Sequence, residues 1–309
     1  PAGIFLPSGL HAGQSGSPRQ SQITSRIDKE GLPSKSAPMQ GKQEQQIATG
    51  KLAAIRGLPI WKGDLSIAPL KGGISNESWI VTDDDGPRVV RFGEDYPFHH
   101  VDREHEAMVA RAAHAAGLAP EVIASSPGMM VTEFLNAKTG STDSVCGDIA
   151  RHAAILKSFH ETMPAHVSGY ARLFWVFHVL RDYARTLTEN ASRHVAGIPG
   201  WMEVAKALET AQIPLPLIYG HNDLLPANFL YANNRVWLID FEYSAYSTAM
   251  FDLAGLSSNA GFDRHQSLEL LILYFSSNPD AGLIQALEAM QCASLLREAM
   301  WSMVSELFL

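Results

Sequence analysis

Cysteine is nearly missing from this chain: Cys146 and Cys292 are the two it has in 309 residues. So few thiols build no disulfide framework, and neither sits in a C-x-x-C or Cys/His pattern, so a reducing, cytoplasmic setting is the expectation. Long apolar runs are missing too, since no stretch approaches the ~18 residues needed to cross a bilayer. The Ile4-Phe5-Leu6 patch lacks a basic flank and a long apolar core, so it does not make a signal peptide. Basic residues are in deficit: 24 Lys and Arg face 32 Asp and Glu, a formal net charge of −8. That balance argues against nucleic acid or an anionic membrane as a partner, although a local basic or metal-lined site can still hold an anionic small molecule. Internal repeats are absent as well. What remains, 46% apolar and 18% charged residues, is ordinary for a globular chain long enough for two lobes around a cleft.

Residues 1–46 are rich in Ser, Gly, Pro, Gln and Lys. Such a stretch buries too little apolar surface to offset its ordering entropy, and it reads as a disordered or loosely attached extension. From Ile47 the character changes. Strands are expected over Leu65–Lys71, Glu77–Thr82, Pro87–Phe92 and Met130–Phe134, with Asp83–Gly86 as a hairpin turn. A helix is expected from Arg103 to Ala116, with Asp102 as N-cap and Gly117 closing it. Residues 47–135 therefore read as a small antiparallel-sheet lobe with one helix. Residues 136–309 read as a larger, mostly helical lobe. Its helices are expected over Ile149–Met163, Arg172–Glu189, Trp201–Ala211, His265–Phe275 and Ala281–Phe308. A strand-rich island, Leu215–Tyr219, Phe229–Tyr231 and Val236–Ile239, interrupts them.

The island carries the strongest chemical signal. Gly220-His221-Asn222-Asp223-Leu224-Leu225-Pro226-Ala227-Asn228 is followed by Leu238-Ile239-Asp240-Phe241-Glu242. Phosphoryl transfer to a hydroxyl needs a carboxylate that orients the hydroxyl and takes its proton, and oxygen ligands that hold Mg²⁺ on the phosphates. Asp223 fits the first role, while Asn228 and Asp240 fit the second. Singly, an Asp or Asn in a loop is as readily a turn residue or a cap.

The two segments resemble the Brenner motif and the Ile-Asp-Phe-Glu-Tyr motif of the choline/ethanolamine kinase family, in the aminoglycoside-phosphotransferase-like branch of the protein-kinase-like fold. The match runs on through Tyr243, Ser244, Tyr246 and Phe251-Asp252, and Leu70–Asn76 resembles the family's nucleotide loop. The resemblance implies a two-lobed α+β fold and a kinase that uses ATP and Mg²⁺ on a small amino alcohol. It implies that Gly72, Gly73, Ser75 and Asn76 cover the ATP phosphates, and that Arg91 contacts phosphate and pairs with Glu106. Glu133 and Leu135 would fall in the segment whose backbone meets adenine. Asp223 would be the base, with Asn228 and Asp240 on the metal and Tyr243 and Trp301 as aromatic walls for the acceptor. His160 reads as a satisfied core histidine, His221 as a brace of the loop, Asp252 as an anchor of the catalytic loop, and His99-His100 as a solvated pair.

Three departures touch the acceptor pocket. Leu225 stands where many relatives carry Gln, Gly255–Asn259 replaces Asn-His-Phe-x-Glu, and Glu298 replaces the first of two pocket tryptophans. A glutamate beside an ammonium is chemically sensible. Kinases of the same superfamily acting on an aminoglycoside, thiamine or a sugar usually carry Ile-Asp-Trp or a shorter motif, which sets this chain apart. A nucleotide-binding pseudokinase would have lost a catalytic polar residue, and none is lost here.

Overall fold

Antiparallel pairing organises the first half of the chain. The computed structural model describes residues 50–70 and 77–309. The expected extension over 1–46 and the loop residues Gly72, Gly73, Ser75 and Asn76 lie outside the described residues. Strands β1 (Ser66–Leu70), β2 (Glu77–Asp83), β3 (Gly86–Phe92), β4 (Val122–Ser126) and β5 (Met129–Glu133) form one sheet in the order β1-β2-β3-β5-β4. Every pairing in it is antiparallel. Side chains alternate between faces, so the fully buried Val81, Val90 and Val131 collect on one face, with Ile55, as a small apolar core. Val90 lies directly opposite Val131 in the register.

Helix α1 (Arg103–Ala115) follows β3, and the Asp102 side chain caps it by accepting from the His105 N–H at 3.0 Å. The chain leaves it through Gly117, whose φ of +74° is the left-handed conformation that glycine adopts without strain. The buried Val109, Ala110, Ala112 and Ala113 of α1 join the larger core, not the core of the sheet.

Helices dominate the rest: α2 (Thr142–Cys146), α3 (Ile149–Thr162), α4 (Val176–Glu189), α5 (Ile198–Thr210), α6 (Ala249–Asn259), α7 (Arg264–Phe275) and α8 (Ala281–Phe308). Short pairs β6 (Lys138–Thr139) with β8 (Phe229–Ala232), β8 with β9 (Arg235–Leu238), and β7 (Leu217–Gly220) with β10 (Ala245–Thr248) make the strand-rich island. Residues 52–309 are one compact unit with a two-lobed, protein-kinase-like α+β fold: a small antiparallel sheet, then a larger, mostly helical part.

Several elements differ from expectation, among them β4, β6, β10 and α2, for which no strand or helix was expected. The helix expected from Arg172 begins at Val176, because Arg172–Phe174 instead pairs with Tyr246: the Tyr246 N–H donates to Arg172 O and the Phe174 N–H to Tyr246 O. Helix α6 was not expected at all. Residues 249–257 are buried on every side, so no polar stripe marks the helical period in the sequence.

Candidate active site

The loop after β7 is fixed before it reaches Asp223. Gly220 has no room for a side chain, since a Cβ there would lie 2.5 Å from Ser247 Oγ and 2.7 Å from Asn222 Oδ1. Buried Asp252 on α6 accepts from the His221 N–H and the Asn222 N–H, both at 2.7 Å, and pairs with His160 Nε2 at 2.8 Å. Burial opposes that charge, yet His160 and the backbone donors hold the Asp252 carboxyl below the usual carboxylate range. Asn222, at φ +62°, donates its Nδ2 to the Tyr243 and Ala245 carbonyls. His221 Nε2 donates to Ile239 O at 3.0 Å, and burial pushes its imidazole pKa down. Both His160 and His221 therefore brace the loop.

Beyond this anchor the chain turns tightly. Asn228 donates its Nδ2 to the Asp223 carbonyl at 2.9 Å, and the Ile239 N–H donates to the Asn228 carbonyl at 3.1 Å. The loop and the end of β9 are thereby tied together, with Asp240 next in the chain at φ +71°. That left-handed backbone is uncommon for a residue other than glycine and clusters at functional sites.

Asp240 begins a chain of ion pairs. Its Oδ1 accepts from Arg91 Nη1 at 2.7 Å, and Arg91 also pairs with Glu106. Glu106 pairs with Arg103 at 2.7 Å, and Arg103 pairs with Glu242 at 2.7 Å. Burial and the nearby Asp240 charge push the Glu242 carboxyl up, against the pull of Arg103. Glu106, the partner of Arg91, is fully buried on α1. Arg103 drew no attention in the sequence, because an arginine at a helix start is so often a surface charge. A cleft of about 1050 Å³ opens beside the chain, with Arg91, Arg103 and Glu106 in its wall.

The other side of Asp223 holds a residue that the sequence did not single out. Arg297 of α8 is 3% exposed. Its Nη1 lies 3.8 Å from Asp223 Oδ1 and also pairs with Glu298. Its guanidinium sits over the Tyr243 ring, 4.3 Å from the centroid. Arg297 Nε and Nη2 have no hydrogen-bond partner among the described residues. Burial pushes the Asp223 carboxyl up to about 8, even with Arg297 pulling the other way. Tyr243 is itself buried, and its hydroxyl accepts from Trp301 Nε1 at 3.0 Å.

The expectation of a solvated His99-His100 pair holds for His100, which is exposed, and is corrected for His99. His99 is buried, stacks on Trp301 at 4.5 Å, and bonds Tyr183 Oη and Ser305 Oγ. Burial pushes its imidazole down to about 3, so it stays neutral. His100 pairs with Asp182 at 2.7 Å.

The donor set suits Mg²⁺. Asn228 spends its amide N–H on Asp223 O, so its side-chain oxygen is the atom it could offer a metal, and Asp240 adds a carboxylate in the adjoining turn. One or two such hard oxygens, completed by phosphates and water, are what this ion uses. Among the described residues no group of three or more His, Cys, Asp or Glu could hold a metal alone. Glu133 ends β5, and Leu135 follows it in the segment that leads to the helical part, where its carbonyl accepts from the Ala137 N–H.

Fold and site together have the makings of a phosphoryl-transfer enzyme, and residues 66–291 match the model of the phosphotransferase enzyme family. The chain belongs to that family. It is similar to a choline/ethanolamine kinase family protein from Mesorhizobium loti, with TM-score 0.67 and 28% identity, covering 85% of this chain and 86% of that one. Choline kinase LicA from Streptococcus pneumoniae shares the fold at TM-score 0.68 and 20% identity, over 85% of this chain and 91% of its own. A further LicA structure, in complex with AMP, matches at TM-score 0.64 and 18% identity, over 84% of this chain and 90% of that one. Among curated proteins, a probable ethanolamine kinase of Arabidopsis thaliana is 28% identical over 186 residues, 54% of this chain and 48% of its own length. Protein LicA of Haemophilus influenzae is 24% identical over 209 residues, 66% of this chain and 61% of its own. The chain thus spans about half to two-thirds of the length of these two curated relatives.

Proposed function

We propose that this protein transfers the γ-phosphoryl group of ATP, with Mg²⁺, to the hydroxyl of a small amino alcohol of the ethanolamine or choline type. The observation that carries this reading is the joining of three polar groups by short backbone ties. Asp223 and Asn228 share one turn, and the Ile239 N–H fastens that turn to Asp240. The names of the curated and structural relatives support the amino alcohol, and the LicA complex with AMP supports nucleotide use.

In this reading Asp223 accepts the hydroxyl proton as the oxygen bonds to the γ-phosphorus and ADP departs. Asp240 and Asn228 hold Mg²⁺, which, when bound, neutralises charge on the phosphates. Arg91, fixed by Glu106, contributes a second positive charge for phosphate. The loop Gly72, Gly73, Ser75 and Asn76 covers the nucleotide, and the backbone at Glu133 and Leu135 meets the base. Tyr243 and Trp301 stand behind the acceptor pocket, Tyr243 acting through the guanidinium that covers it.

A coupled ADP-release assay over a panel of alcohols tests the proposal. Turnover is expected with an amino alcohol, lost with EDTA and regained with Mg²⁺. No acceptor-dependent ADP release from any alcohol in the panel, with MgATP bound, would refute it.

A further inference from the structure

The aromatic face that would greet an acceptor's cation is already taken. Quaternary ammonium groups, which have no N–H, depend on open aromatic faces and dispersion contacts. Tyr243, the motif's tyrosine, carries the Arg297 guanidinium at 4.3 Å. The ring is 8% exposed and built into the large core, so its second face is not open either. Trp301 has one face stacked on His99, and its Nε1–H is engaged by Tyr243. What the cavity beside Asp223 does offer is a carboxylate. Glu298 lines the same cavity as Asp223 and Arg297, and its side chain is 45% exposed. That cavity is about 10 Å³, room for roughly one water-sized group.

We propose that Arg297 is the residue that sets acceptor class: by filling the cation position on Tyr243 it excludes a quaternary ammonium and leaves Glu298 to select a protonated amine with N–H donors. The proposal rests on the amino-alcohol reading and narrows it. A primary ammonium donates charge-assisted hydrogen bonds to Glu298, which a trimethylammonium lacks the protons to make. Because Arg297 occupies the ring face and Glu298 can answer only N–H donors, Arg297 is the discriminating element and Glu298 the attracting one.

The test compares kcat/KM for ethanolamine and choline in the intact protein, where both acceptors need the same base. Ethanolamine should be favoured by at least about ten-fold, the worth of one charge-assisted hydrogen bond. Arg297→Ala should raise the choline-to-ethanolamine ratio by about two- to thirty-fold by uncovering Tyr243. Glu298→Gln, at a partly exposed position that tolerates the change, should raise the ethanolamine KM about ten-fold and choline's far less. Equal or better use of choline by the parent would overturn the proposal, as would a Glu298→Gln variant with an unmoved ethanolamine KM. If 3,3-dimethylbutan-1-ol and ethylene glycol serve as well as the amines, the amino-alcohol reading fails while the kinase reading stands. Neither turnover nor calorimetric binding of ethanolamine would overturn the proposal and the amino-alcohol reading together.

Discussion

The two sides of Asp223 are built on opposite principles. On the nucleotide side, Asp240, Arg91, Glu106, Arg103 and Glu242 alternate in sign, so each charge meets its opposite. On the acceptor side one buried guanidinium lies between Asp223, Glu298 and an aromatic ring, with two of its nitrogens unpartnered among the described residues. The nucleotide-side series leaves one buried nitrogen, Arg103 Nη2, without a partner among the described residues, against two on Arg297, and in the proposed reading its task is to hold phosphates and metal. An incompletely satisfied cation is expensive in a low-dielectric site and persists where it serves a purpose. Under the proposed function, the contrast teaches that the first side would define the reaction and the second what is acted on.

Asp240 offers the hardest break. Replacing it with Ala removes the carboxylate of the metal site and also strips Arg91 of a partner. Turnover should vanish and MgATP binding should weaken markedly by calorimetry. A variant that binds MgATP like the parent would show that the ion chain does not serve the nucleotide. Asp223→Asn comes next: it keeps shape and loses the base, so kcat should drop by about 10²–10⁴ while MgATP affinity barely changes. Near-normal turnover would remove Asp223 from the chemistry.

Asp252 tests the frame that both sides share. Asp252→Ala leaves two buried backbone N–H groups and His160 without their acceptor, at a cost of about 3–5 kcal/mol in denaturant unfolding. Its folded carboxyl lies below the ordinary aspartate value of 3.8, so its contribution is complete above that pH and fades as pH falls through the folded value. A loss under 1 kcal/mol would mean that the loop is held elsewhere. The smallest effect sharpens the acceptor side. Asp223 acts as a carboxylate, so kcat/KM should decline as pH falls below about 8. Arg297→Met removes a charge that lowers this pKa, and the acidic limb should move to higher pH by about one unit, whereas Arg297→Lys should hold it in place. An unmoved limb in Arg297→Met would separate Arg297 from the base.

Legibility followed the same division. Asp223 and Asn228 precede the β8–β9 hairpin and Asp240 follows it, at a spacing short enough to read from local sequence. Arg91 and Glu106 were found by position relative to the strand and helix that carry them, and the structure places them in contact. Arg297 escaped notice because its role depends on where α8 docks, and a helix with apolar residues on several faces does not announce which one meets the site. His99 was misjudged for a related reason: its partners Tyr183 and Ser305 come from α4 and α8, far along the chain. Helix α6 was hidden by burial on all sides, and with it the reason that Asp252 sits beneath the loop. Short-range chemistry could be read from residue order. Chemistry assembled by helix packing could not.

The most direct measurement identifies the product. The intact protein, incubated with Mg²⁺, ATP and ethanolamine, should give a phosphomonoester of the acceptor by ³¹P NMR, in step with ADP, and Asp223→Asn should give at most a trace in the same time. Release of inorganic phosphate in place of that ester, or an ester formed equally well by Asp223→Asn, would contradict phosphoryl transfer from this site to an amino alcohol.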